Sequence, residues 1–213
     1  MEPPRPIASA RVRGIPQPLL FTVFTLSGIS ALIYQLIWQR ALLTLYGSNT
    51  ESVAMVVTAF MVGLGLGSLA GGALSERGQL PLVLLFSVAE LGIGIYGIFS
   101  LHLFAWAGDL TVGAGALMTG LLAFALVFVP TLLMGATLPL LVAHQVRNTG
   151  SVGQSVSWLY FVNTLGAALG AFLAAGVLLG RFGQSGSLRI AAAANLVVAA
   201  TILIAWLPRR GER

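Results

Sequence analysis

The chain consists of long apolar segments separated by short polar connections. Six segments are long enough to cross a bilayer, since a spanning helix needs about 20 mostly apolar residues. The connections carry turn residues, for example Gly183-Gln184-Ser185-Gly186, and are short enough to join antiparallel neighbours. The pattern predicts an all-α integral membrane protein of six transmembrane helices. The six predicted segments are 18–46, 50–74, 80–101, 112–143, 152–179 and 187–207.

The composition supports a membrane environment and excludes several other classes of protein. Only 8% of the residues are charged, against roughly 25% in soluble domains. The chain is therefore expected to lie in the lipid bilayer, with lipid as a partner. The chain has no cysteine, which excludes disulfides and thiolate ligands. His102 and His144 are predicted on opposite sides of the membrane, so neither a metal site nor a cofactor is expected. The net charge of +5 comes from scattered arginines rather than a basic stripe, so nucleic-acid binding is not expected.

The arginines also predict the orientation, because cytoplasmic loops carry the excess of basic residues. The N-terminus and C-terminus are both predicted in the cytoplasm. Lys is absent and Ala, Gly and Leu are abundant, which suggests a bacterial source and hence the bacterial inner membrane. Residues 1–17 are expected to be a disordered cytoplasmic segment, 18–207 the membrane domain and 208–213 a cytoplasmic tail. The predicted inner arginines are Arg5, Arg11, Arg13, Arg77, Arg147, Arg209, Arg210 and Arg213, and the outer ones are Arg40, Arg181 and Arg189.

The two halves of the chain resemble each other weakly. Residues 26–30 (LSGIS) align with 133–137 (LMGAT), and the same shift places Arg40 on Arg147. Further along, Gly63 and Gly67 align with Gly166 and Gly170. A repeat of three helices must be inverted, because an odd number of crossings reverses the next copy. Inverted three-helix repeats build each half of a major facilitator. We therefore predict a 3+3 inverted repeat of half-facilitator type, against the alternative of chance similarity between glycine-rich helices.

Glycines and prolines suggest where helices approach or bend. Glycines spaced by four residues share one helix face and allow close backbone contact. Intramolecular packing is the favoured interpretation, and a dimer seam or moving gate is the alternative. Pro130 and Pro139 are expected to kink the fourth helix, either as a static bend or along a substrate path. The glycines concerned are Gly63, Gly67 and Gly71 in the second segment and Gly166 and Gly170 in the fifth.

A few polar residues interrupt the apolar segments. Glu90 lies near the middle of the third segment. An acidic side chain within the membrane has a high free-energy cost and often has a function. Glu90 is either a structural acid or a cation or proton site, with Arg40 as one candidate partner. Tyr34 and Gln35 join Arg40 in a polar end of the first helix, which fits an interfacial belt or the mouth of a cavity. Asn163 is expected to be an interhelical hydrogen-bond partner rather than a ligand contact.

Four stretches occur in the order typical of one family. They are 27–40 (SGISALIYQLIWQR), 59–72 (AFMVGLGLGSLAGG), 130–139 (PTLLMGATLP) and 160–170 (YFVNTLGAALG). Together they resemble the membrane region of the bacterial fused major-facilitator/spermidine-synthase-like family. The resemblance covers most of residues 20–207.

The resemblance implies a further soluble domain, similar to polyamine aminopropyltransferases, with a loop for decarboxylated S-adenosylmethionine and catalytic acids. No part of this sequence matches that domain, so the family's catalytic residues have no positions here. Gln35 stands where the family pattern has an acid. On this basis we expect a chain that is not an enzyme.

Two functions remain open. The first is a non-catalytic accessory or scaffold subunit of a larger membrane complex, for example with a separately encoded synthase. The second is a half-facilitator-like binder or transporter of a small, polyamine-like solute, acting as a homodimer. In that case Glu90 and the polar end of the first helix would contact the solute.

Overall fold

The computed structural model describes residues 15–46, 49–77 and 80–207. These residues are helical almost throughout, which confirms the all-α class. The predicted N-terminal segment up to residue 14, the tail 208–213 and the connections at 47–48 and 78–79 lie outside the described residues. The elements are α1 (Gln17–Tyr46), α2 (Asn49–Glu76), α3 (Leu82–Leu110), α4 (Ala116–Thr149), α5 (Val152–Leu173), a π-helical segment (Ala174–Leu178) and α6 (Leu179–Trp206).

The described residues form five helical runs long and apolar enough to cross a membrane, rather than the six predicted. The fifth run, Val152–Trp206, contains both the predicted fifth and sixth segments. The predicted turn 183–186 lies within this run, which is kinked at Gly183, and the Ser187 hydroxyl donates to the Gly183 carbonyl at 2.6 Å. Gly183 itself is not helical, with φ 63° and ψ −171°, a conformation that glycine adopts readily because it has no Cβ.

The first arm of this run lies parallel to α1. Gly166 packs against the backbone of Thr25, and Gly170 packs against the backbone of Ile29. Residue numbers therefore rise together along the two helices. Each of these glycines is so close to α1 that a Cβ would overlap a backbone carbonyl.

The second arm runs in the opposite direction. Leu188 belongs to the buried cluster around Trp38, late in α1. Ile202 belongs to the other buried cluster, with Leu20 near the beginning of α1. Since α5 rises along α1 and α6 descends along it, the chain reverses direction near Gly183.

Large apolar side chains cover the outside of the bundle. Leu69 and Phe172 are each 72% exposed, and Met61 is 61% exposed. Soluble monomers rarely expose extended apolar surface of this kind. The surface and the five long apolar runs are compatible with a multi-pass membrane protein.

The predicted end of the third segment was wrong. The third segment was predicted to end at residue 101, but α3 continues to Leu110. Phe104 and Ala107 are each only 2% exposed and continue the buried face. His102 and Asp109 interrupt the apolar pattern, which is why the segment was predicted to end early. The helix continues past them because it depends on backbone hydrogen bonds, which polar side chains do not interrupt.

α4 continues through both of its prolines. Pro130 has no N–H, so it leaves the carbonyl of Leu126 without its helical donor. The Tyr96 hydroxyl of α3 donates to that carbonyl at 2.5 Å. Inside a membrane such a freed carbonyl needs an internal partner, and here a neighbouring helix provides one.

The glycines of α2 face α4. Gly63 lies against Thr131, and Gly67 lies against the backbone of Leu132 and Gly135. Gly65, in contrast, has no atom near the position of a Cβ. One face of α2 therefore contacts α4 closely, and the neighbouring face is open.

This difference predicts the effect of adding one methyl group. Gly67→Ala should destabilise the fold by about 1–3 kcal/mol, because the methyl group overpacks the contact with α4. Gly65→Ala is the matched control and should be neutral or stabilising by about 0.5–1 kcal/mol. Unfolding of the two purified variants by graded addition of denaturing detergent measures both effects. Equal stability of the two variants would contradict the close α2–α4 contact.

Candidate intramembrane polar site

Glu90 is completely buried in the middle of α3. Its Oε1 accepts a hydrogen bond from the Ser27 hydroxyl of α1 at 2.6 Å. Its Oε2 accepts one from Nδ2 of Asn195 in α6, also at 2.6 Å. The carboxyl group thus joins three helices, and each of its oxygens has a donor from a different helix.

Parallel packing of α1 and α3 places Ser27 opposite Glu90. A second contact in nearly the same register joins Nε1 of Trp38 to the Ser100 hydroxyl at 3.0 Å. The two pairs are separated in sequence by 63 and 62 residues, so α1 and α3 rise together. α6 runs antiparallel to α3, which brings Asn195 to the same depth.

Both donors to Glu90 are neutral. Arg40, the partner considered from sequence, is exposed at the far end of α1, about 20 Å beyond Ser27 at a rise of 1.5 Å per residue. A buried carboxylate without a counter-ion carries a desolvation penalty of several kcal/mol. The site therefore favours a positive species, either a proton or a small cation.

Two buried polar atoms within the described chain have no hydrogen-bond partner, namely the Tyr34 hydroxyl and Oδ1 of Asn195. The Tyr34 hydroxyl lies over Gly97 of α3 and within electrostatic range of Glu90. An unsatisfied buried polar atom costs about 1–3 kcal/mol. Oδ1 of Asn195 thus marks a position beside Glu90 where a further polar partner would be stabilised, whereas the Tyr34 hydroxyl lies at Gly97, about two helical turns further along α3.

The structure separates the polar residues that sequence spacing grouped at the end of α1. Tyr34 is fully buried and stacks on Trp38, with ring centroids 5.1 Å apart. Gln35 is half-buried and Arg40 is exposed. Arg40 instead lines a cleft of about 330 Å³ beside the π-helical segment. The cleft is formed by Leu36, Gln39, Arg40, Ala175 and Leu179.

Asn163 is not among the hydrogen-bond partners of Glu90. It is half-buried in α5 and packs against Gly28, where a Cβ would meet its backbone and side-chain oxygens. No three His, Asp or Glu side chains come together among the described residues. Glu90 is therefore the centre of the candidate site, and Asn163 belongs to the α1–α5 contact.

Sequence reasoning missed the two donors to Glu90. Asn195 is the one amide side chain within the apolar stretch 190–206, whose other polar residue is Thr201, and this is the signal that could have identified it. Ser27 lies in the first family-like stretch, but serines are common in membrane helices and carry little signal alone. Neither residue could be assigned to Glu90 without knowing which helices are neighbours.

Comparison with known proteins gives one partial match. No protein-family model matches the chain, and no solved structure matches it. Polyamine aminopropyltransferase 1 of Streptomyces coelicolor is 28% identical over 209 residues, which is 98% of this chain and 37% of that protein. The chain thus spans 37% of the length of this curated relative, a match consistent with the resemblance to a spermidine-synthase-like family.

The comparison contradicts the expectation that the chain is not an enzyme. That expectation rested on the lack of a recognisable cofactor loop within the 213 residues. Almost all of these residues, however, align with part of a protein named as an aminopropyltransferase. The lack of a recognisable cofactor loop within these 213 residues is therefore not a sufficient reason to conclude that the chain is not an enzyme.

Proposed function

We propose that this chain is the membrane-embedded part of a polyamine aminopropyltransferase-type assembly and holds the catalytic unit at the bilayer. The observation that carries this proposal is the alignment of 98% of the chain with only 37% of such a protein. The long apolar helices support it, since they suit a bilayer. The catalytic unit is then the expected protein partner, whether joined to this region or encoded separately.

Electrostatics gives a reason for such an arrangement. Polyamines are flexible cations, and the anionic cytoplasmic leaflet of a bacterial inner membrane attracts cations within about a Debye length of its surface. A catalytic unit held at that surface would work where its cationic substrates are concentrated. The membrane region would act as a scaffold whose helices position the unit.

The scaffold proposal predicts co-purification of enzymatic activity. The tagged chain, extracted in mild detergent from membranes of its source organism, should carry aminopropyl transfer to a diamine well above background. The control is an unrelated multi-pass protein with the same tag, produced at the same level. Recovery of all such activity in the soluble fraction, with none bound to the tagged chain, would contradict the proposal.

We further propose that the chain crosses the membrane six times, as two inverted three-helix halves with both termini in the cytoplasm. The reversal near Gly183 supports two crossings within the fifth run. The packing of the helices supports the repeat. The alignment pairs 26–30 with 133–137 and Gly63 with Gly166. Under this alignment, contacts between α1 and α5 correspond to contacts between α4 and α2. The corresponding contacts are Thr25–Gly166 with Leu132–Gly63, and Gly28–Ala167 with Gly135–Leu64.

The absence of cysteine permits a direct test with single-cysteine variants. Ser185→Cys, in the reversal, should react with a membrane-impermeant maleimide in intact cells. Asn148→Cys, at the exposed end of α4, should react only after the membrane is permeabilised. Labelling of both positions from the same side would contradict six crossings. Labelling of Asn148→Cys in intact cells, and of Ser185→Cys only after permeabilisation, would contradict the orientation but not the number of crossings.

A second candidate function is supported by Glu90. A scaffold does not need a buried carboxyl group, whereas a half-facilitator-like unit, acting as a homodimer, could use one to bind or move a small polyamine-like cation. Intramembrane acids commonly mark ion or substrate paths. The buried carboxyl group with two neutral donors is the observation that favours this function.

This second function predicts loss of transport in one variant. Uptake of radiolabelled putrescine into vesicles containing the wild-type chain should exceed that of empty vesicles. Glu90→Gln should reduce uptake to the empty-vesicle level, because the amide keeps the shape and removes the negative charge. Glu76→Gln, at the exposed end of α2, is the matched control. Full uptake by Glu90→Gln would remove Glu90 from the transport path.

A further inference from the structure

The Asn195 amide has two orientations that present different atoms to Glu90. In the structure, Nδ2 donates to Oε2 at 2.6 Å, and Oδ1 has no partner among the described residues. This orientation suits an ionised carboxylate, because both carboxylate oxygens then act as acceptors.

A half-turn of the amide would suit the protonated acid equally well. Oδ1 would then face Glu90 and accept a hydrogen bond from the carboxyl O–H. The amide oxygen and nitrogen have nearly the same size, so the half-turn needs no repacking of the helices. One Asn195–Glu90 hydrogen bond exists in either state, and one amide atom remains without a partner in either state.

The surroundings contain few groups that compete for the proton. Ser27 from α1 is neutral and can donate to the remaining carboxyl oxygen in both states. Tyr34, also from α1, is the titratable side chain within electrostatic range of Glu90, and Tyr96 on α3 is occupied by the Leu126 carbonyl. The other titratable or charged side chains described on the helices packed against α3 are exposed or half-buried, namely Arg40 on α1, His144 and Arg147 on α4, and Arg181 and Arg189 on α6.

The enclosure of the site selects for a small ligand. Glu90, Ser27 and Asn195 are 0%, 8% and 2% exposed. A polyamine or a hydrated metal ion could reach the carboxyl group only if α1, α3 and α6 separated. A proton requires no such space and can pass from water along transient hydrogen bonds.

We propose that Glu90 is a reversible proton-binding site within the bilayer, and that the Asn195 amide turns over as the proton is bound and released. On binding, a proton from water forms an O–H bond at Oε2, and the N–H···O bond from Asn195 is replaced by an O–H···O bond to Oδ1. On release, the proton returns to water and the amide turns back. This inference assigns a proton, rather than the polyamine-like cation itself, to the site of the second proposed function, and it rests on that function's choice of site.

Infrared difference spectroscopy on the full chain in vesicles of phosphatidylcholine and phosphatidylglycerol tests the proposal. A carboxylic C=O band should appear as the pH is lowered and disappear as the pH is raised. The band should be lost in Glu90→Gln and retained in Glu76→Gln. In Asn195→Leu and Ser27→Ala the band should shift to higher frequency, because the acid loses a hydrogen-bond partner. These two variants also assign the band if Glu90→Gln does not fold.

Three results would overturn the proposal. They are the absence of a Glu90 band at every pH, a Glu90 band that does not change with pH, and a band that responds to sodium chloride at constant pH instead of to pH. The spectra require neither a transported solute nor a catalytic partner. A pH-dependent Glu90 band without putrescine uptake would thus support the proton site while removing the transport proposal.

Discussion

Close backbone contact between helices is the constraint on which the rest of this structure depends. Lipid is as apolar as the helices, so burying apolar side chains gives little drive for association, and van der Waals packing must supply it. Gly166 and Gly170 fix α5 against α1 on either side of Ser27, at Thr25 and Ile29. On α3, Gly94 lies against Leu196 of α6 and Gly97 lies against Tyr34 of α1, so close glycine contacts also hold the helices that meet at Ser27.

The polar contacts depend on that register and add specificity to it. Glu90 links α3 to α1 and α6 through Ser27 and Asn195, and Tyr96 links α3 to α4 at the carbonyl freed by Pro130. Each of these bonds is available only if the helices lie at one depth relative to each other. A shift by one helical turn, about 5.4 Å, would leave a buried carboxyl group or a backbone carbonyl unsatisfied, so other registers are disfavoured.

The sequence predicts those features that depend on local composition and spacing. The length of the apolar segments predicts the helices, and the four-residue spacing of glycines predicts the close contacts of Gly67 and Gly170. An acidic residue within an apolar segment identifies Glu90. The sequence does not predict features that depend on neighbours distant in the chain, such as the Ser27 and Asn195 contacts. Helical spacing also does not reveal that, of Tyr34 and Arg40, only Tyr34 enters the core.

A buried carboxyl group bears on how the two proposed functions relate. Anchoring a catalytic unit requires only apolar helices with a stable arrangement, and a leucine at position 90 would satisfy that need without any desolvation penalty. The Glu90 contacts also disfavour other registers of α3 against α1 and α6, but a neutral hydrogen-bonding side chain at position 90 could do the same. Since Asn195 leaves one amide atom unpaired in either orientation, the site is also not optimised for stability. A membrane region that both holds an aminopropyltransferase and binds a proton accounts for the apolar helices and for the carboxyl group together.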